Sequence, residues 1–208
     1  MKRYTRVTAK VVPLPRSDVD TDQIIPAQHL KRLVRTGYGQ FLFESWRFTP
    51  TGDISPDFVL NHPQYSDATI LAAGANFGCG SSREHAVWAL LDYGFRAIIA
   101  PSFGDTFRNN CYQNGILPVT LPGPVVQRIM DCAEHDNEYR VTVDLDTCRV
   151  CDTNGMTQDF TIDPFRKQRL LDGLDDIELT LHHEREIQAY ETARGIMATT
   201  NTNGAHSP

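Results

Sequence analysis

An α/β fold with a partly parallel sheet is predicted from three features of this sequence. First, residues 68–73 (ATILAA), 96–100 (RAIIA) and 116–121 (ILPVTL) are short apolar runs of strand length. Second, helical patterns separate them. Residues 84–93 place Val87, Leu90 and Leu91 on one face before Gly94, and residues 106–113 end at Gly115. Third, a strand–helix–strand–helix–strand order at these lengths favours parallel pairing through crossover connections. Ligands of such sheets sit at the carboxyl ends of the strands. At one of those ends the chain carries Gly78-Cys79-Gly80-Ser81-Ser82-Arg83.

The other elements follow in chain order. Residues 7–12 alternate weakly and stop at Pro13, as a strand does. Residues 17–26 (SDVDTDQIIP) bring three acids in five residues and then an apolar pair, which reads as a turn followed by a strand. Asp18, Asp20 and Asp22 have the spacing of a calcium loop, but Ile24 and Ile25 stand where glycine and polar ligands are needed. Residues 30–47 are basic and aromatic around a loop at Thr36-Gly37-Tyr38-Gly39. That stretch reads either as a solvated surface loop or as one holding arginines over a small anion. A proline-punctuated connection covers 48–66. Beyond Pro122-Gly123-Pro124, an amphipathic helix spans 125–134 and a half-exposed strand spans 139–145. Residues 149–151 and 159–162 extend antiparallel sheet around Thr153-Asn154-Gly155. Asp163 caps a helix that has Pro164 at its first position and runs to Leu171, before Gly173. Residues 175–193 are helical in pattern, and 195–208, rich in Thr, Asn and small residues, are expected to be a disordered tail.

Composition excludes several classes. With 208 residues, 22% charged and 40% hydrophobic, the chain describes an ordinary globule able to bury a core. A formal net charge of −6 without a basic run argues against nucleic acid as a partner, and any bound anion must be held by local groups. No stretch reaches membrane-span length, and MKRYTRVTAKVVPL lacks the apolar core of a signal peptide. Five scattered cysteines are then expected to be reduced thiols, and a cytoplasmic location follows.

The chemistry concentrates in the glycine-rich loop. A helix start exposes unpaired N–H groups and a partial positive charge, and Arg83 adds a planar fork suited to a carboxylate, so the loop reads as an acid-binding site. It matches neither G-x-G-x-x-G nor G-x-S-x-G. His85 lies four residues after Ser81, but no acid partner is evident, and a structural histidine is the simpler reading. Cys79 reads as a small thiol in a tight loop, and Cys148-x-x-Cys151 has no second ligand pair for zinc. No cysteine arrangement suits an iron–sulfur cluster. Capping of the helix accounts for one serine but not for two serines, two glycines and an arginine together.

At this point the chain resembles the small subunits of 3-isopropylmalate dehydratase, an aconitase-superfamily enzyme of leucine biosynthesis. The resemblance runs from about Val12 to Ala193 and is carried by DVDTDQIIPAQHL, RTGYGQFLFESWRF, PDFVLNHPQY, NFGCGSSREHAVWALLDYGF, APSFGDTF, TIDPFRKQRLLDGLDDI and LTLHHE. It implies a swivelling β/β/α three-layer domain over residues 1–194, with 195–208 as a tail. It also implies a separate large subunit, in a heterodimer or higher assembly, that carries a 4Fe–4S cluster, with no cofactor or metal bound by this chain. The implied reaction dehydrates 2-isopropylmalate to a cis-unsaturated diacid and rehydrates it to 3-isopropylmalate. By the same resemblance Ser81 is the base that removes the carbon-bound proton, and Ser82 and Arg83 hold a substrate carboxylate. Arg35 is a second substrate-binding arginine and Asp22 an active-site aspartate. Leu33 and Val34 favour an isopropyl substituent. A hydro-lyase of methylmalate or homoaconitate type, or a non-catalytic diacid-binding module, would carry similar features.

Overall fold

Strands β1 (Arg6–Ala9) and β2 (Val11–Leu14) are separated only by Lys10, yet they enter different sheets. The burial patterns show why. β1 alternates between exposed and half-buried positions, as on a sheet with one wet face, whereas all four residues of β2 are buried. In the computed structural model, which describes residues 1–31, 36–174, 189, 190, 192 and 194, β2 begins a four-stranded parallel sheet. Its order is β2, β3 (Ile70–Ala73), β4 (Ala97–Ala100), β5 (Leu117–Thr120). β1 joins an antiparallel sheet of order β1, β6 (Val141–Asp144), β7 (Arg149–Asp152), β8 (Thr157–Asp159). The α/β class and the partly parallel sheet therefore stand.

Two details of the N-terminal expectations are corrected. The single strand over 7–12 is two strands, and Pro13 lies inside the second, paired with Ala72. β2 is an edge strand, where a missing N–H leaves no neighbour unsatisfied; Pro118 occupies the opposite edge strand for the same reason. The strand expected after the acidic turn is instead a single helical turn, α1 (Thr21–Ile24). Asp20 caps it: its side chain accepts from the Gln23 N–H at 2.7 Å, and its own N–H donates to Gln23 Oε1 at 3.0 Å. Ile24 and Ile25 are fully buried from this turn without any strand alternation.

Helix α2 (Glu44–Arg47) follows in the connection to β3, and α3 (Glu84–Tyr93) and α4 (Asp105–Asn114) carry the crossovers from β3 to β4 and from β4 to β5. Because successive strand residues face opposite ways, the parallel sheet builds two cores. Val12, Leu14, Leu71, Ala73, Ile98 and Ala100 pack with Val87 and Leu90 of α3 and Phe107 and Cys111 of α4. On the other face, Val11, Ile70, Ala72, Ala97 and Ile99 pack with Ile129 and Met130 of α5 (Gly123–His135) and with Val141, Val143 and Val150 of the antiparallel sheet. Helix α6 (Pro164–Asp172) starts as expected at Asp163, whose carboxylate accepts from the Arg166 N–H at 3.1 Å. Met1–Gly173 form one compact unit and Leu174–Pro208 a second. Most of the helical pattern over 175–193, the tail 195–208, and Leu33, Val34 and Arg35 lie outside the described residues.

Candidate active site

Three loops leave the carboxyl ends of β2, β3 and β4, and the central one is the glycine-rich segment. It is stitched to both neighbours by backbone hydrogen bonds. On the β2 side, the Asp18 N–H donates to the Ala75 carbonyl at 2.8 Å and the Gly78 N–H to the Val19 carbonyl at 2.7 Å. On the β4 side, the Phe77 N–H donates to Ser102 at 3.1 Å and the Gly104 N–H to Phe77 at 3.0 Å. Two glycines are required here. Gly78 has φ +73, and a Cβ on it would stand 2.7 Å from Phe107 Cβ and nearer still to the ring. Gly80 has φ +89, and a Cβ on it would make only ordinary contacts, the nearest with Asp20 Cβ at 3.4 Å, so its need is conformational.

After Gly80 the loop meets α1. The Thr21 N–H donates to the Cys79 carbonyl at 3.0 Å, and Thr21 Oγ1 donates to the Ser81 carbonyl at 3.1 Å. The Asp22 carboxylate pairs with Nη1 of Arg83. Arg83 itself is the N-cap of α3, in an extended conformation and without a side-chain cap. Neither serine therefore caps the helix. Ser81 and Ser82 are exposed, and among the described residues their hydroxyls have no hydrogen-bond partner. Asp22 occupies one nitrogen of the Arg83 guanidinium, leaving Nε and Nη2 without a partner among the described residues. Ser81, Ser82, Arg83 and Asp22 are thus brought together; Arg35 falls outside the described residues.

The surrounding groups have structural work. Burial, then the Asp20 and Asp18 carboxylates, push the Cys79 thiol up, which keeps it protonated and poorly nucleophilic. His85 lies tilted against Trp88 with ring centroids 4.6 Å apart and meets Tyr38 edge-on at 5.5 Å, and burial holds its pKa below the ordinary 6.5. A neutral ring wedged among aromatics suits the structural reading. The three acids with calcium-loop spacing have separate partners: Asp18 with Asn76, Asp20 with Gln23, Asp22 with Arg83. Cys148 sits at φ +54 with its thiol on the Leu145 carbonyl, while Cys151 accepts from Thr157. Among the described residues no group of three His, Cys, Asp or Glu side chains could hold a metal, and Cys111 is sealed in the core, so these residues do not fit a cluster site. No described helix is long and apolar enough to cross a membrane.

Beside this site, the segment after the undescribed 32–35 is tied to α3. The Gly39 N–H donates to Asp92 at 3.0 Å, and Tyr38 is fully buried. Sequence reasoning missed Thr21. Its signal was the Asp20-x-x-Gln23 capping pair, which marks a helical turn and so turns Thr21 inward.

A glycine-rich loop of this kind at the carboxyl ends of a parallel sheet backed by a second, antiparallel sheet defines a class: the model of the aconitase C-terminal domain family matches residues 1–124. Curated relatives resolve the class further. The 3-isopropylmalate dehydratase small subunit of Rhodospirillum centenum is 54% identical over 191 residues, covering 92% of this chain and 94% of that protein. Its counterpart in Anoxybacillus flavithermus is 55% identical over 194 residues, covering 93% and 100%. The crystal structure of 3-isopropylmalate dehydratase (leuD) from Methanocaldococcus jannaschii superposes with a TM-score of 0.62 at 25% identity, covering 89% of this chain and 99% of that one. The chain belongs to the family of 3-isopropylmalate dehydratase small subunits.

Proposed function

We propose that this chain is the small subunit of a hydro-lyase that interconverts 2-isopropylmalate and 3-isopropylmalate in the cytoplasm, working only when paired with a cluster-bearing large subunit. Residues 1–194 form its working domain. Ser81 is the base: as an alkoxide it takes the carbon-bound proton, becomes the neutral hydroxyl, and returns a proton during rehydration. A serine alkoxide needs stabilisation, which the α3 N-terminus and Arg83 supply once a partner seals the site from water. Ser82 and the two unengaged nitrogens of Arg83 hold a substrate carboxylate in two-point fashion, with Asp22 steadying the guanidinium. Arg35 is the second substrate-binding arginine. The 4Fe–4S cluster belongs to the large subunit.

One observation supports this reading above the rest: an exposed, unpartnered Ser81 hydroxyl two residues before a guanidinium that still has donors to offer. Its test is turnover by the co-purified two-subunit enzyme, followed by the ultraviolet absorbance of the unsaturated diacid with a panel of 2-substituted malates. Ser81→Ala is expected to lower turnover about 10²–10⁴-fold while leaving subunit association intact. Undiminished turnover removes Ser81 from the mechanism, and steady turnover by the purified small subunit alone removes the need for a partner.

A further inference from the structure

We infer that Thr21 is a positioning residue for Ser81, an inference that rests on the proposed role of Ser81 as base. Among the described residues, Thr21 is one of three buried polar or charged side chains, at 1% exposure, the others being Asp144 and Arg169. A buried hydroxyl is retained where it has a partner, and the partner here is the carbonyl of Ser81, 3.1 Å away. The main chain of Thr21 holds Cys79, so a single residue grips the loop on both sides of Gly80. Gly80, at φ +89, is the point about which Ser81 would otherwise swing.

The grip is rigid at its other end. Ile24 is fully buried, and its carbonyl accepts from the Phe43 N–H at 2.8 Å, so α1 is anchored in the core independently of the loop. The Ser81 carbonyl also accepts from the Arg83 N–H at 2.8 Å. Removing the Thr21 donor therefore leaves that carbonyl satisfied and the helix start in place, but frees the orientation of Ser81. The Ser81 hydroxyl has no partner of its own among the described residues, so its direction is set by this backbone clamp. A base whose aim is held through its carbonyl loses proton-transfer rate when the clamp goes, because misplacement by about 1 Å costs on the order of 10²-fold.

The experiment uses the two-subunit enzyme with Thr21→Val, which keeps the shape and removes the donor, and Thr21→Ser, which keeps the donor. Thr21→Val is expected to lower kcat about 10–100-fold with KM within about threefold. It should also enlarge the rate ratio between substrates carrying hydrogen and deuterium at the carbon that loses its proton, since that step becomes more limiting. Thr21→Ser is expected to restore both. Thr21→Val with unchanged kcat and isotope ratio, beside an inactive Ser81→Ala, overturns this inference and leaves the base assignment standing. An active Ser81→Ala overturns the base assignment itself. Equal losses in the Val and Ser variants would assign Thr21 to packing. If Thr21→Val does not assemble, Thr21→Ala reads the same hydrogen bond, and failure of both to assemble marks a purely structural residue and overturns the proposal.

Discussion

Replacing Gly78 by alanine should show what holds the glycine-rich loop in shape. At φ +73 an L-residue is strained by about 1–2 kcal/mol. The new methyl would also collide with Phe107, whose ring is 2% exposed and packed edge-on against Phe77 at 5.5 Å, so it has nowhere to retreat. Overpacking of this kind costs about 1–3 kcal/mol. Together these predict a loss of about 2–5 kcal/mol, and a drop in Tm of about 4–20 °C for a chain of this size. Gly80→Ala is the matched control. It has the same sign of φ, but its nearest neighbour is Asp20 Cβ at 3.4 Å, so only the strain of about 1–2 kcal/mol applies. Thermal and denaturant unfolding of the purified variants measure both. The Phe107→Ala background closes the test: that change alone costs about 3–5 kcal/mol, and it removes the ring carbons while leaving the Cβ of residue 107 2.7 Å from the new methyl, so Gly78→Ala within it should cost less than in the native chain but still more than Gly80→Ala does. The reasoning is refuted if Gly78→Ala is as mild as Gly80→Ala, or if its cost is unaltered by removing the Phe107 ring.

Three further outcomes follow from the same geometry. Arg83→Lys should raise KM by about 10–100-fold, because an ammonium cannot keep Asp22 and give a carboxylate a two-point contact; normal saturation behaviour in the assembled enzyme would argue against Arg83 as a carboxylate holder. Asp20→Ala should destabilise the chain by about 0.5–2 kcal/mol through loss of the α1 cap, with Asp20→Asn recovering most of it, as read by denaturant midpoints. His85 is held below 6.5 by burial, so the unfolded chain binds its proton first as pH falls. Its contribution to stability is therefore complete above 6.5 and is lost as pH falls through 6.5 toward the lower folded value. His85→Gln should flatten the stability profile below 6.5, and identical slopes in the two proteins would contradict the burial of that ring.

Much of the architecture was legible because its signals are local. The helix over 84–93 has the expected bounds, with Gly94 at φ +124 ending it, and Asp163-Pro164 begins α6. The apolar runs that became β3, β4 and β5 are buried on both faces, as continuous runs in a covered parallel sheet should be. The misreadings have equally specific causes. An apolar Ile24-Ile25 pair looks like strand, yet the Asp20–Gln23 box closes a helical turn first. Pro13 looks like a strand terminator until the sheet order puts β2 at an edge.

By itself the sequence determined the identity of the reactive loop: two glycines where φ is positive, two serines and an arginine at a helix start, and a resemblance to one enzyme family. Only the tertiary structure decided what surrounds them. Thr21 reaches Ser81 across 60 positions and Asp22 reaches Arg83 across 61, contacts that exist because β2 and β3 lie side by side and send their following loops to one end of the sheet. Backbone preferences act over a few residues, whereas a clamp between distant segments depends on strand order and on which hydroxyl and which cation the core turns toward each other.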